Sequence, residues 1–125
     1  MTERHELALH RHPTEVARAR RHVAQVFHDI DDEARSTLQI LTSEVVTNAI
    51  AHGRGDIMLW ASRAVHEARV EVLDGSPEAP RPMSPAEDAE SGRGLFLLEA
   101  LSSAWGVRPI PGRSGKSVWF TLQVR

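Results

Sequence analysis

The chain has no cysteine, which excludes a disulfide framework and any thiolate metal site. No apolar run approaches the ~20 residues that a bilayer-spanning helix needs. The first residues, MTERHELALHRHP, hold no hydrophobic segment of the signal-peptide kind. Neither sign of charge dominates: 15 Lys and Arg stand against 17 Asp and Glu, a formal net charge of −2. Electrostatics therefore gives no reason to expect direct nucleic-acid or membrane contact. These absences fit a cytoplasmic protein. Lysine is also scarce, for every basic residue except Lys116 is arginine, which makes that one ammonium conspicuous.

What is present suits a single domain. A chain of 125 residues can build one core and is too short for two domains of ordinary size. Its 41% hydrophobic and 26% charged content is normal for a globular protein, and no repeats or linkers interrupt it. Residues 5–9 alternate weakly, as in a short edge strand. His12-Pro13-Thr14-Glu15 reads as a helix start, followed by Val16, Ala19, Val23, Val26, Phe27 and Ile30 at helical spacing. His22 and His28 are expected at its surface. Asp31-Asp32-Glu33 caps a second helix running to about Ala51, and Gly53 stands where a left-handed stop is expected. Strand-length segments follow at Ile57–Ala61 and at Val70–Val72, the latter ending at Asp74. Their link has no Gly or Asn to mark a hairpin. Residues 75–91 are rich in Pro and acids, a length that inside a compact domain usually means a lid, a binding loop or a disordered segment. A helix with Leu95, Leu98 and Leu101 on its apolar face comes next, then a strand near Ala104–Val107. The last strand turns Val118, Phe120, Leu122 and Val124 one way and Ser117, Trp119, Thr121 and Gln123 the other. Helices followed by a mixed, mostly antiparallel sheet make an α+β two-layer sandwich with the helices on one face.

Four pieces carry chemistry. In Leu41–Gly53, Glu44, Asn48 and His52 recur every fourth residue. Each step of four advances about 40° around a helix, so they form a slanted stripe roughly 12 Å long beside the core face of Leu38, Leu41, Val45 and Ala49. Asn costs helix propensity, which favours a function for Asn48. Asp74-Gly75-Ser76 ends a strand, where a turn is the commoner explanation. Gly92-Arg93-Gly94-Leu95 opens a helix, and N–H groups at a helix start suit anions. Gly115-Lys116-Ser117 lacks the glycine spacing and following helix of a Walker motif.

In order, ExxxNAxxH, Asp-x-Ser after a strand, GRGL opening a helix and GKxVWF in the last strand resemble the GHKL (Bergerat-type) ATPase superfamily. That ATP-binding fold is shared by histidine-kinase catalytic domains, a heat-shock chaperone family and gyrase. The likeness runs from about Glu6 to Val124 and is greatest to small stand-alone actinobacterial members similar to anti-sigma-factor serine/threonine kinases. It implies one ATP-binding domain over 1–125, with a lid at about 77–91. Asn48 would coordinate Mg²⁺ bridging the phosphates, and Glu44 would be the general base. Asp74 would accept a hydrogen bond from the adenine amine, supported by Ser76. Gly92, Arg93, Gly94 and Leu95 would meet the phosphates, with Gly115, Lys116 and Ser117 also contacting nucleotide. His52 would either line the phosphate or ribose side or cap the helix end. Both glycines of the usual Asp-x-Gly-x-Gly box are replaced, by Ser76 and Glu78, and Ala51 stands where histidine kinases often carry a basic residue.

The resemblance further implies a partner in trans, an antagonist protein phosphorylated on Ser or Thr, a sigma factor, or both. Relatives of this type often form homodimers; Trp60 and Trp119 either face away from the helices as an apolar patch suited to such a contact or pack under a neighbouring loop. The departures favour the rival class, a module that sequesters a partner without catalysis. A slow stand-alone ATPase is the third reading.

Overall fold

The computed structural model describes residues 3–76 and 96–125. Its elements are β1 (Arg4–Leu9), α1 (Glu15–Val26), α2 (Asp32–His52), β2 (Ile57–Ala64), β3 (Glu67–Asp74), β4 (Ala104–Pro109) and β5 (Lys116–Gln123). Residues 96–101 are also helical. The strands lie in the order β1-β2-β3-β5-β4, and all four pairings among the described residues are antiparallel. This is the α+β architecture, helices against an antiparallel sheet, that the order of elements in the sequence implies.

Period-2 alternation sorts the sheet into two faces. Ala68, Val70 and Val72 of β3 and Val118 and Phe120 of β5 join one core with Leu38, Leu41, Val45, Val46 and Ala49 of α2 and Ala19 and Val23 of α1. The opposite face carries a registered row, Glu6, Trp60, Glu71, Trp119 and Gly106, across all five strands. Trp60 and Trp119 do face away from the helices, and each is covered by an arginine. The Arg4 guanidinium lies 3.8 Å from the Trp60 ring centre and that of Arg69 4.5 Å from Trp119. A Cβ on Gly106 would come within 2.8 Å of the Trp119 indole, so the glycine lets the ring lie flat on β4.

Local details differ from expectation for identifiable reasons. α1 stops at Val26, and Phe27 and Ile30 bury their side chains from the connecting turn. α2 begins where the acids place it: the Asp31 side chain accepts the Ala34 N–H at 2.8 Å. β2 runs to Ala64 and pairs Ala64 with Glu67. The Val65-His66 turn needs no glycine because neither residue adopts a positive φ, and the Val124 N–H donates to the His66 carbonyl at 2.9 Å, fastening the turn to the chain beyond β5. His22 is half-buried rather than at the surface, and burial pushes its imidazole pKa below the usual value. Leu98 is buried, whereas Leu101, expected beside it, is 40% exposed.

Gly53 is the correction that matters for the site. It is extended (φ −84°, ψ −173°), not left-handed, and its N–H closes the last turn of α2 on the Ala49 carbonyl. A Cβ there would lie 2.5 Å from the Ala49 carbonyl oxygen and 2.8 Å from Asp74 Cγ. The residue is glycine because a carboxyl group sits against the helix end.

Candidate functional site

Three chain segments meet at one end of the sheet: the last turn of α2, the end of β3 and the start of β5. The Gly75 N–H donates to the Arg54 carbonyl at 2.7 Å, joining the turn after α2 to the end of β3. Gly115 has φ +133°, and a Cβ on it would lie 2.5 Å from the Asp74 carbonyl oxygen. Glycine is required there on both counts.

Asp74 is the centre of this junction and is buried. Its Oδ1 accepts the Ser76 N–H at 2.7 Å, an Asx turn that holds the strand end in shape. Asp74 and Lys116 are directly opposed across β3 and β5. The Lys116 ammonium donates to Oδ1 at 3.3 Å and lies 3.2 Å from Oδ2. The side chains of the pair are 2% and 10% exposed, so this is an interior ion pair and not a surface one. Asp74, Ser76, Gly115 and Lys116 are thus brought together, with His52 and Gly53 at the adjoining end of α2.

Asn48 lies one turn back along α2, half-buried, and Glu44 one turn further. Glu44 also borders a shallow groove with Arg20, Ser36, Gln39, Ile40 and Ser43. An amide oxygen is a hard donor suited to Mg²⁺. No group of three or more metal-ligating side chains of the His, Cys, Asp and Glu types occurs among the described residues. Among the described residues the donor set offers the Asn48 amide oxygen and no protein-made cage, which suits an ion carried mainly by phosphate oxygens and water.

Ser117 is not part of this cluster. It is on the other face of the sheet, where its Oγ donates to Glu71 Oε2 at 2.7 Å. Glu71 also accepts from Arg69 at 3.0 Å and from Arg108 at 3.0 Å on both oxygens. Burial pushes the Glu71 carboxyl pKa up, but the Ser117 hydroxyl and the arginines outweigh it, and the net displacement is downward. Sequence reasoning missed this network. Its signal was a charged residue between Val70 and Val72, a position that alternation turns away from the core. Gly92, Arg93, Gly94, Leu95 and the expected lid at 77–91 lie outside the described residues.

The helix that carries the half-buried amide thus ends on a buried acid from β3. The family model for the histidine kinase-like ATPase domain matches residues 9–122. The chain belongs to that family. Among solved structures it is similar to the histidine kinase domain from the Erythrobacter litoralis EL346 blue-light activated histidine kinase, with 21% identity and a TM-score of 0.54. The match covers 88% of this chain and 59% of that one, so this chain spans little more than half of its neighbour's length. No match was found among curated protein sequences.

Proposed function

We propose that this chain binds Mg-ATP at the α2–β3–β5 junction and works as a regulatory serine/threonine kinase of the anti-sigma-factor type. On this reading Asn48 would hold Mg²⁺, which would neutralise phosphate charge, and Asp74 would take the adenine amine. Glu44 receives the proton of the attacking hydroxyl of a protein substrate, and the segment 77–91 serves as the lid. Phosphoryl transfer needs mainly positioning and charge neutralisation, which an amide-held Mg²⁺ beside a helix can supply. The observation that carries the reading is the convergence of Asp74, Gly115 and Lys116 on the end of the helix that bears Asn48.

Two measurements test it. Mg-ATP should raise the unfolding temperature, and Asn48→Ala should remove most of that rise. Proteins captured from the source cell in the presence of Mg-ATP should include one that accepts the γ-phosphate, and Glu44→Gln should bind ATP but not transfer. Full transfer by Glu44→Gln would sink the base assignment.

One observation favours a second reading, a binding module that sequesters its partner without catalysis. The Asp74 carboxylate already holds a cation, Lys116. If millimolar Mg-ATP produced no thermal shift, this reading would replace the first.

A further inference from the structure

The geometry points to Lys116 as a specificity-determining residue that reads the ring nitrogen next to the exocyclic amine of a 6-aminopurine while Asp74 reads the amine. The inference rests on the nucleotide reading above and extends it to the base edge.

A buried ion pair is a poor device for stability alone, since well-packed apolar side chains of similar volume usually do as well or better. Opposed positions on the helix-facing side of β3 and β5 are filled by Val72 and Val118 one step along. An apolar pair would suit the next step equally, yet the only lysine in the chain stands there. Bonding capacity indicates what the pair is for. An ammonium has three N–H groups and no acceptor, and among the described residues Lys116 meets only Asp74. Among the described residues Asp74 Oδ1 is occupied by Ser76 as well, whereas Oδ2 takes only Lys116. The pair therefore keeps one spare donor beside one spare acceptor.

A 6-aminopurine carries the matching groups on adjacent atoms: an N–H on the exocyclic nitrogen and a lone pair on N1. In the proposed pose the amine N–H meets Oδ2 and N1 accepts from the ammonium. A 6-oxopurine offers the same two functions in reverse order, so its ring would have to turn over.

The test compares Mg-ATP, the triphosphate of 1-deazaadenosine (N1 replaced by CH) and that of purine riboside (amine removed). Affinities are measured by titration calorimetry on wild type and Lys116→Met. Wild type should bind the 1-deaza nucleotide roughly tenfold or more weakly than ATP, the scale of a hydrogen bond to a charged group. Lys116→Met should bind those two alike. Removing the amine should weaken binding to both proteins. Equal wild-type affinity for ATP and the 1-deaza nucleotide, or tenfold discrimination kept by Lys116→Met, overturns the Lys116 assignment and leaves the ATP site standing. No binding of any of the three to wild type removes the ATP reading and this inference with it.

A second measurement needs no variant. Reductive methylation of Lys116, told apart from that of the N-terminal amine by peptide mapping, should slow at saturating Mg-ATP. An unchanged rate would count against the contact.

Discussion

At the residue scale, small and charged side chains decide the geometry more than the large apolar ones do. Gly53→Ala places a methyl inside contact distance of both the Ala49 carbonyl and the Asp74 carboxyl. Neither atom can yield cheaply, since one belongs to the helix backbone and the other to a buried ion pair. The substitution should destabilise the fold by about 1–3 kcal/mol, measured by urea unfolding. It should also weaken Mg-ATP binding, because Asp74 is what moves. Glu71 makes the complementary case on the other face. Its folded-state pKa is below the ordinary 4.5, so the unfolded chain takes up the proton first as pH falls. The stabilisation is complete near neutrality and is lost as pH falls from the ordinary value through the lowered one. Glu71→Gln should cost roughly 1–3 kcal/mol at pH 7, the scale of a buried hydrogen bond to a charged group. Thermal melts of the variant and wild type should then converge as pH falls below 4.5. A gap of constant size across that range would assign the loss to packing.

At the element scale, α2 is where sequence and structure agree most, and the agreement has a cause. Its start is written in one side chain, since Asp31 accepts the Ala34 N–H. Asp31→Ala should remove about 1 kcal/mol in chemical denaturation, while Asp31→Asn should lose little. Its buried face, Leu38, Leu41, Val45 and Ala49, follows from 3.6-residue periodicity, which is a local property. β5 was legible for the same reason, with a period of two. The place where α2 ends was legible too, with Gly53 as its cap, but the conformation of Gly53 was not, because Gly53 answers to Asp74, a residue distant in sequence, and no local rule reports a close approach. Ser117 illustrates a conflict between levels. Alternation already turns it away from Val118 and the helices, and that simple rule agrees with its bond to Glu71 where the motif-based expectation of a nucleotide contact does not. The Asp74–Lys116 pairing needed the β3–β5 register, which neither strand contains alone.

At the scale of the whole molecule, the site is a product of the finished fold. Its parts come from residues 48–53, 74–76 and 115–116, and they meet only when β3 and β5 pair and α2 packs across them. Ligand binding should therefore be linked to global unfolding and not to a local event. Leu38→Ala tests this, because Leu38 is fully buried in the first half of α2, far along the helix from Gly53. The truncation should cost about 2–5 kcal/mol through lost burial and an unfilled cavity. Mg-ATP at 100 times its dissociation constant should then restore about 2.7 kcal/mol in the variant, the same increment as in wild type. Distant sites with no shared partners add in this way. Urea titrations of both proteins, with and without nucleotide, give the four stabilities required. A markedly smaller increment in Leu38→Ala would mean that the core half of α2 communicates with Asn48, making the helix a coupled lever between core and site.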